Sequence, residues 1–363
     1  MARSYAYRKR SLILFARVLD KIGFFFHKPK ARATLDPRRI LIVRLDQLGD
    51  IVMALPVFSS LKKSFPNAEL HALTTTAGGE LLREAGVVDD CLIWDCPWFD
   101  QSRNSRTSIL EMRRTIRKGR YDCVLELRGD LRLIALLRCS GVRNLVGYNA
   151  TGGGFLLDVG PEWDPNLHAI DKNIKLVEAI GGFAASRRPS LRAGAGTRKK
   201  GFRLAIHPGA GTAAKRWPVG KFVEVINRLS SDARLNIELI GSDQVVGKTL
   251  DRLLQGPVSN QIGKTTLLEL IDCLRSADGL LTNDSGPAHL AAALDKPVWI
   301  LWSGTAASRI WAPRGDKVVL FEHEVSCSPC ALPNCPVEGH PCLTKIEVES
   351  VLRSIQAHVE TSL

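Results

Sequence analysis

The residues at 283–289, Asn-Asp-Ser-Gly-Pro-Ala-His, are of the types that bind phosphate. They follow the apolar run 279–281 and precede a helical pattern that begins at Leu290. A strand, a tight loop and a helix N-terminus in this order offer backbone N–H groups and the positive end of the helix dipole to an anion. We therefore expect a phosphorylated ligand here, with Asp284 and Ser285 selecting what the phosphate carries. Asp-Ser-Gly-Pro is also an ordinary helix-start sequence.

A second candidate is Asp50, which directly follows Gly49 in the loop after the apolar run 40–45. A carboxylate at this position could act as a general base toward a hydroxyl nucleophile. It could equally serve as the N-cap of the following helix. Asp46 lies nearer the strand and could instead pair with Arg44 or cap the loop.

A third candidate is the glycine-containing loop 207–218, which carries Lys215 and Arg216 ahead of a helix that should start near Pro218. Either cation could neutralise a diphosphate, although Lys215 could also be a solvated loop residue. The chain has no Gly-x4-Gly-Lys-Ser/Thr loop and no Gly-x-Gly-x-x-Gly after its first strand. ATP hydrolysis and nicotinamide-dependent oxidation therefore lack their usual support.

Two further observations bear on the chemistry. His289 lies one helical turn after Ser285, so it could face the site or simply pack. The sequence contains no Asp-x-Asp pair, the simplest means of holding a divalent metal against a nucleotide diphosphate. We expect backbone amides, a helix N-terminus and Lys215 to stabilise a leaving diphosphate without a metal.

The elements that must position these residues alternate along the chain. Strands are predicted at 40–45, 69–73, 122–127, 204–207, 237–241, 279–281 and 297–301, and helices at 222–229, 267–274 and from the loop at 50 through 63. This alternation predicts an α/β fold with doubly wound parallel sheets, in which ligands lie beyond the carboxyl ends of the strands.

The domain organisation follows from an interruption of that alternation. Residues 181–202 hold five glycines, Pro189 and six Lys or Arg, a composition typical of a linker. We predict an N-terminal extension at 1–39, a first Rossmann-like domain at 40–180, the linker at 181–202 and a second Rossmann-like domain at 203–363.

The net charge of +13 is concentrated in the N-terminal extension. Residues 1–39 contain eleven Lys or Arg and two acids, a net charge of +9. The rest of the chain is only mildly basic, so no broad nucleic-acid-binding face is indicated. The segment also carries an apolar stripe at helical spacing, formed by Leu12, Phe15, Leu19, Ile22 and Phe26.

Charges at Arg17, Asp20 and Lys21 interrupt this stripe, so it suits neither a membrane span nor a signal peptide. We expect a basic amphipathic helix on an anionic membrane surface, with residues 1–30 making the contact. The alternative is a helix packed on the protein body.

The nine cysteines indicate a reducing compartment, because five are scattered singly and the total is odd. The other four, Cys327, Cys330, Cys335 and Cys342, lie in a Pro-rich loop at 327–342. Their spacing is compatible with structural zinc, with a disulfide or with unligated thiols.

Three ordered motifs together resemble glycosyltransferase family 9, the lipopolysaccharide heptosyltransferases. They are Arg-Leu-Asp-Gln-Leu-Gly-Asp at 44–50 followed by Leu-Pro at 55–56, His-Pro-Gly at 207–209 with Lys-Arg-Trp-Pro at 215–218, and the motif at 283–289. The resemblance covers about 40–355, and the cysteine pattern is also similar to that of many members. The N-terminal extension is not part of the family core, and the Gly152-Gly153-Gly154 run makes the acceptor side hard to match to any particular member.

The resemblance implies a GT-B fold, with two Rossmann-like domains facing an interdomain cleft and an acceptor-binding first domain. It implies inversion at the anomeric carbon, with Asp50 matching the catalytic base and Lys215 the cation on the donor phosphates. Asp284 would lie near the sugar hydroxyls and Asp243 at the ribose. The donor-binding residues expected on this basis are Gly211, Thr212, Lys215, Asp243, Asp284, Ser285, Gly286 and His289.

The hypothesis from these observations is an inverting glycosyltransferase that moves a sugar, with heptose from ADP-heptose favoured, onto a lipid-linked lipopolysaccharide core acceptor. It would need no cofactor or metal and would act in the cytoplasm, on the cytoplasmic face of the inner membrane. The alternatives are a GT-B-like epimerase or hydrolase of nucleotide sugars, and a non-catalytic nucleotide-sugar-binding membrane protein.

Overall fold

The computed structural model describes residues 10–96, 98–99, 107–192 and 201–362. The chain forms two compact units, which divide between Arg187 and Arg188. Part of the predicted linker, 193–200 with Gly194 and Gly196, lies outside the described residues, as do the first nine residues. The predicted domain bounds therefore stay predictions.

The first unit is a parallel five-stranded sheet with helices between its strands. Its strands are β1 (Arg39–Arg44), β2 (Glu69–Thr74), β3 (Asp90–Ile93), β4 (Cys123–Glu126) and β5 (Asn144–Gly147), and its helices are α1 (Arg10–Phe26), α2 (Leu48–Ser64), α3 (Thr76–Ala85), α4 (Ile109–Gly119), α5 (Leu131–Cys139) and α6 (Ala169–Ala179). The strand order is β3-β2-β1-β4-β5, and every pair is parallel. A 3-10 turn at Gly154–Leu156 follows β5.

The centre of this sheet is β1, which pairs with β2 on one side and β4 on the other. Ile40 to Val43 are fully buried, as expected for a parallel strand covered by helices on both faces. The predicted first strand is confirmed. Because parallel strands end at the same sheet edge, the residues after β1 and β4 are neighbours.

The second unit is a parallel six-stranded sheet. Its strands are β6 (Phe202–His207), β7 (Leu235–Leu239), β8 (Val258–Asn260), β9 (Gly279–Asn283), β10 (Val298–Trp302) and β11 (Val318–Glu322), and its helices are α7 (Val219–Ser230), α8 (Gln244–Leu253), α9 (Leu267–Ser276), α10 (Gly286–Ala293), α11 (Ser308–Trp311), α12 (Pro341–Thr344) and α13 (Val348–Ser362). The strand order is β11-β10-β9-β6-β7-β8. A 3-10 turn at Ala213–Lys215 precedes α7.

The core of this unit packs Trp217, which precedes α7, and Phe222 of α7 against the central strands and α13. The Trp217 and Phe222 rings meet edge to face, with centroids 5.1 Å apart. This packing fixes the end of the loop that carries Lys215, since Trp217 lies two residues further on. The predicted helix start near Pro218 is confirmed, because Pro218 is the N-cap of α7.

One local prediction is wrong. Asp50 was expected in a loop or as an N-cap, but α2 begins at Leu48 and its N-cap is Gln47. Asp50 therefore lies in the first helical turn, where the positive end of the helix dipole favours a carboxylate. The loop after β1 is shorter than predicted, because Gly49 is accommodated within the helix.

The predicted N-terminal helix is confirmed as α1, and it packs on the protein body, the alternative that the sequence left open. One side of α1 faces the protein through Ala16, Asp20 and Gly23, which are buried. No helix in the described part of the chain is long and apolar enough to cross a membrane.

Candidate active site

In the first unit, Arg44 organises the carboxyl end of β1. It is 8% exposed, and its Nη2 donates to Asp50 Oδ1 at 2.7 Å. Its Nε lies 2.9 Å from Asp46 Oδ2, and its Nη1 donates to the carbonyl of Leu127 at 3.1 Å. One guanidinium therefore joins two carboxylates to the loop after β4. The predicted pairing of Asp46 with Arg44 is confirmed.

The arrangement leaves Asp50 suited to accept a proton. Arg44 engages one carboxylate oxygen, and the Asp50 side chain remains 22% exposed. A carboxylate that is fixed by a guanidinium and open on one side can receive a proton from a hydroxyl placed against it. Asp46 is less suited to this role, because both Arg44 and Arg128 pair with it and only 9% of its side chain is exposed.

The loop after β4 is held by Glu126, which is fully buried at the end of the strand. Its carboxyl group accepts the backbone N–H groups of Arg128 and Gly129. Burial raises the pKa of Glu126 to about 8, against the lowering effect of these hydrogen bonds. The side chain is thus a largely neutral acid at neutral pH that fixes the turn carrying Arg128.

Two arginines, Arg128 on this loop and Arg132 at the start of α5, lie against aromatic rings. The Arg128 guanidinium is 4.2 Å from the centroid of Phe99, and that of Arg132 is 5.3 Å from the centroid of Trp98. The Arg128 side chain is 40% exposed and that of Arg132 is 49% exposed. Burial lowers the pKa of Arg128 to about 10, so it still carries its charge at neutral pH. Each of these arginines also pairs with a carboxylate, Arg128 with Asp46 and Arg132 with Asp130.

In the second unit, Asn283 joins the three segments that the sequence singled out. Its side-chain amide donates to the carbonyls of Pro208 and Gly209 at 2.8 and 3.1 Å. Its Oδ1 accepts the backbone N–H of Trp217 at 3.0 Å. Asn283 is fully buried at the end of β9, so these contacts fix both loops relative to the start of α10.

Two ion pairs in the second unit connect predicted site residues. Lys215 Nζ lies 2.7 Å from Asp284 Oδ2, and Arg216 Nη2 lies 3.0 Å from Asp243 Oδ2. Lys215 is therefore not simply a solvated loop cation. Asp243 also caps α8, because its Oδ1 accepts the backbone N–H groups of Val245 and Val246.

Ser285 is held at the N-terminus of α10 by buried neighbours. Its Oγ lies 2.9 Å from Thr282 Oγ1 and 3.2 Å from His207 Nδ1. Burial lowers the pKa of His207 to about 4, so its ring is neutral at physiological pH. A neutral ring adds no charge of its own, and its contact holds the Ser285 Oγ in place.

The remaining predicted donor residues fall around these pairs. Gly286 is the first residue of α10, and His289 is 7% exposed within the same helix. Gly211 and Thr212 precede the turn that carries Lys215. Among the described residues, the buried Thr212 Oγ1 has no hydrogen-bond partner. The structure thus connects Lys215 to Asp284 directly. Gly211 and Thr212 lie on the loop before Lys215, and Gly286 and His289 lie in the helix that follows Asp284.

The four clustered cysteines are free thiols, and their exposure ranges from buried Cys342 to exposed Cys327. Within the described ranges, no three or more His, Cys, Asp or Glu side chains are arranged to hold a metal ion. The cysteine loop instead supports the Lys215 turn, because Ala214 donates its backbone N–H to the Pro333 carbonyl at 3.0 Å.

Three residues of this arrangement, Glu126, Arg128 and Asn283, were not given a role from the sequence. Asn283 is part of the motif at 283–289, and a buried side-chain amide at the end of a strand is expected to form hydrogen bonds with neighbouring loops. Glu126 and Arg128 had a weaker signal, because one is a charged residue near the end of the predicted strand 122–127 and the other directly follows that strand. The ion-pair partner of Arg128, Asp46, is 82 residues away in the sequence.

Two parallel α/β units, each with a charged site at the carboxyl ends of its strands, are the architecture of glycosyltransferases with the GT-B fold. Residues 109–340 match the family described as glycosyltransferase family 9 (heptosyltransferase). The chain belongs to this family, as its motifs predicted.

Individual relatives agree with this assignment. The chain is 26% identical to lipooligosaccharide heptosyltransferase 2 of Campylobacter jejuni over 44% of its own length and 51% of that protein. It is 24% identical to lipopolysaccharide heptosyltransferase 3 of Escherichia coli K12, over 75% of its own length and 84% of that protein. The Campylobacter relatives are therefore matched over only about half their length.

Among solved structures, the E. coli ADP-heptose lipopolysaccharide heptosyltransferase II superposes with a TM-score of 0.73. The superposition covers 89% of this chain and 99% of that one at 20% identity. This likeness confirms the predicted GT-B fold class.

Proposed function

We propose that this chain is an inverting glycosyltransferase that transfers a heptose from ADP-heptose to a lipid-linked saccharide of the lipopolysaccharide core. The observation that carries the proposal is the Asp50 carboxylate, fixed by Arg44 at 2.7 Å and open on one side. Family membership and the names of the relatives, which include an ADP-heptose lipopolysaccharide heptosyltransferase, support the donor and the acceptor class.

In this reaction an acceptor hydroxyl attacks the anomeric carbon of the heptose. Asp50 removes the hydroxyl proton as the new glycosidic bond forms, and the bond to the diphosphate oxygen breaks. The leaving ADP keeps that bonding pair, and attack from the opposite face inverts the anomeric carbon.

The donor is assigned to the second unit. Lys215 and the N-terminus of α10 would stabilise the charge of the leaving diphosphate. Ser285 would donate a hydrogen bond from its hydroxyl to a phosphate oxygen, with its Oγ held in place by His207. Asp284 would accept hydrogen bonds from the sugar hydroxyls, and Asp243 from the ribose.

Turnover with ADP-heptose and an extracted core acceptor tests the reaction. Asp50→Asn should abolish the heptose-sized mass gain of the acceptor while ADP-heptose binding persists. Asp36→Asn is the matched control, because Asp36 is an exposed acid of the same unit. Heptose release to water without acceptor would indicate a hydrolase, and unchanged transfer by Asp50→Asn would exclude the proposed base.

We also propose that α1 adsorbs to an anionic membrane surface, where the enzyme would meet its acceptor on the cytoplasmic face of the inner membrane. Large apolar side chains of α1 are exposed: Leu12, Leu14, Phe15, Val18, Ile22, Phe25 and Phe26. The exposed cations Arg17 and Lys21 lie beside this face, where each contributes about 1 kcal/mol of attraction to anionic lipid.

Vesicle co-sedimentation tests this surface. The protein should bind vesicles of phosphatidylcholine with phosphatidylglycerol more tightly than vesicles of phosphatidylcholine alone. Phe25→Asp should weaken binding to both, because Phe25 is 85% exposed and should insert its ring into lipid. Equal binding to both compositions, unchanged on deletion of 1–30, would overturn the assignment.

A further inference from the structure

The run Gly152-Gly153-Gly154 has a structural reason that the sequence did not reveal. Gly152 and Gly153 adopt φ of 94° and 84°, the left-handed region that favours glycine. A Cβ on Gly152 would lie 3.1 Å from Ala16 of α1, and one on Gly153 would lie 2.4 Å from the Leu131 side chain. These glycines therefore allow the loop 149–154, here called the glycine loop, to pass between α1 and α5.

Asp20 of α1 is bonded to the glycine loop. It is 2% exposed, and its carboxylate accepts the Gly153 backbone N–H at 2.8 Å and the Asn149 side-chain amide at 2.7 Å. A buried carboxylate with such charge-assisted hydrogen bonds holds its partners firmly. Gly23 adds close packing, because a Cβ there would meet the Phe155 ring at 2.1 Å.

The glycine loop in turn holds the loop 127–132, here called the arginine loop. Thr151 donates both its backbone N–H and its hydroxyl to the Gly129 carbonyl, at 3.1 and 2.9 Å. The backbone N–H of Leu131 donates to Thr151 Oγ1 at 2.8 Å. Arg128 lies within this clamped turn.

Arg128 completes a continuous chain of contacts to the candidate base. It pairs with Asp46, which pairs with Arg44, which pairs with Asp50. Helix α1 thus reaches the carboxyl end of the first sheet through polar contacts of the glycine and arginine loops. A flexible tether would make no such contacts.

We propose that α1 is a positioning element for acceptor binding as well as a lipid-binding helix, with Asp20 as its positioning residue. The hydrogen bonds between Asp20 and the glycine loop and between Thr151 and the arginine loop, together called the clamp, would hold the arginine loop in place. They would also fix its position relative to an anionic lipid surface that α1 contacts. Arg128 would then meet the anionic groups of a lipid-linked acceptor in one orientation. This inference rests on the proposed glycosyl transfer, because it concerns the acceptor of that reaction.

The test separates positioning from tethering with a deacylated, water-soluble acceptor, which does not need a membrane. Asp20→Ala should lower kcat/KM for this acceptor about tenfold or more, mainly by raising KM, and leave ADP-heptose binding unchanged. Arg17→Ala is the matched control on the exposed side of α1. It should weaken binding to phosphatidylglycerol vesicles and leave turnover of the soluble acceptor within about twofold of wild type.

Asn149→Ala removes one of the two Asp20 hydrogen bonds, together with the bond from the Gly154 backbone N–H to Asn149 Oδ1 at 3.1 Å, and should also raise the KM for this acceptor. This variant tests the same proposal if Asp20→Ala does not fold. Wild-type kcat/KM for the soluble acceptor in the folded variants would overturn the proposal.

Hydrogen exchange tests the clamp without relying on activity. The Gly153 amide should exchange faster in Asp20→Ala, and the Leu131 amide should follow if the glycine loop holds the arginine loop. If these amides exchange faster in Asp20→Ala but the wild-type protein transfers no heptose, only the proposed function is refuted. Unchanged exchange in a protein that transfers heptose would refute the clamp alone.

Discussion

Replacement of Glu126 by Gln should make the protein more stable at alkaline pH. The folded protein buries this carboxyl group completely, and burial raises its pKa from 4.5 to about 8. Between these two values the folded chain keeps the proton while the unfolded chain loses it. Unfolding then releases a proton, so the free energy of unfolding falls as pH rises through this interval.

The magnitude follows from the shift in pKa. Each pH unit in the interval lowers the contribution of Glu126 by about 1.4 kcal/mol, and the loss levels off above the folded pKa. Between about pH 5 and about pH 8.5 the total is about 4 kcal/mol. A glutamine side chain in this place would stay neutral and could still accept the Gly129 N–H through its amide oxygen. The variant should therefore match wild type near the acidic limit and exceed it by about 4 kcal/mol at the alkaline limit.

Urea denaturation of both proteins across this pH range measures the difference, with hydrogen exchange of β4 peptides reporting on the first unit. Glu162→Gln is the matched control for removing one carboxylate, because Glu162 is exposed on the same unit. A stability difference between wild type and Glu126→Gln that does not change with pH would refute the reasoning. It would show that Glu126 is charged in the folded protein.

Three further predictions concern single contacts. Arg44→Met should lower the free energy of unfolding by about 3 kcal/mol in urea titrations and abolish transfer, because Asp50 loses the buried cation that orients it. Lys215→Met should weaken ADP binding about tenfold or more by calorimetry, whereas Lys248→Met, an exposed change on α8, should not. In thermal denaturation, Gly86→Ala should lower the free energy of unfolding by about 1 kcal/mol, because Gly86 ends α3 at a φ of 65°.

Seven strands and the second-unit loops were predictable because their signals are local, whereas β3, β5, β8 and β11 were not predicted. The apolar runs of β1, β6 and β9 are continuous, as buried parallel strands require. The turn at Lys215 and the start of α10 are marked by glycine and proline. The resemblance then supplied the roles of the charged residues, which spacing alone left open between capping, packing and catalysis.

The polar network of the first unit was not predictable from local signals. Whether Arg44 reaches the Leu127 carbonyl depends on the pairing register of β1 with β4, and the two residues are 83 positions apart. The protonation state of Glu126 depends on its complete burial, which no local pattern reports. The misplaced start of α2 has a local cause, because Gly49 favours a loop where the structure continues the helix.

The two units differ in how firmly their ion pairs hold the residues of the proposed reaction. Arg44 is 8% exposed and bonds Asp50, Asp46 and a backbone carbonyl, so releasing it would leave buried charges without partners. Lys215 is 30% exposed, and an incoming diphosphate would compete with Asp284 for its ammonium group. A phosphate that paired with the Lys215 ammonium would leave the Asp284 carboxylate able to accept hydrogen bonds from the hydroxyls of the sugar. The proposed base is thus held by a buried cation, whereas the proposed donor would exchange one anion for another at Lys215.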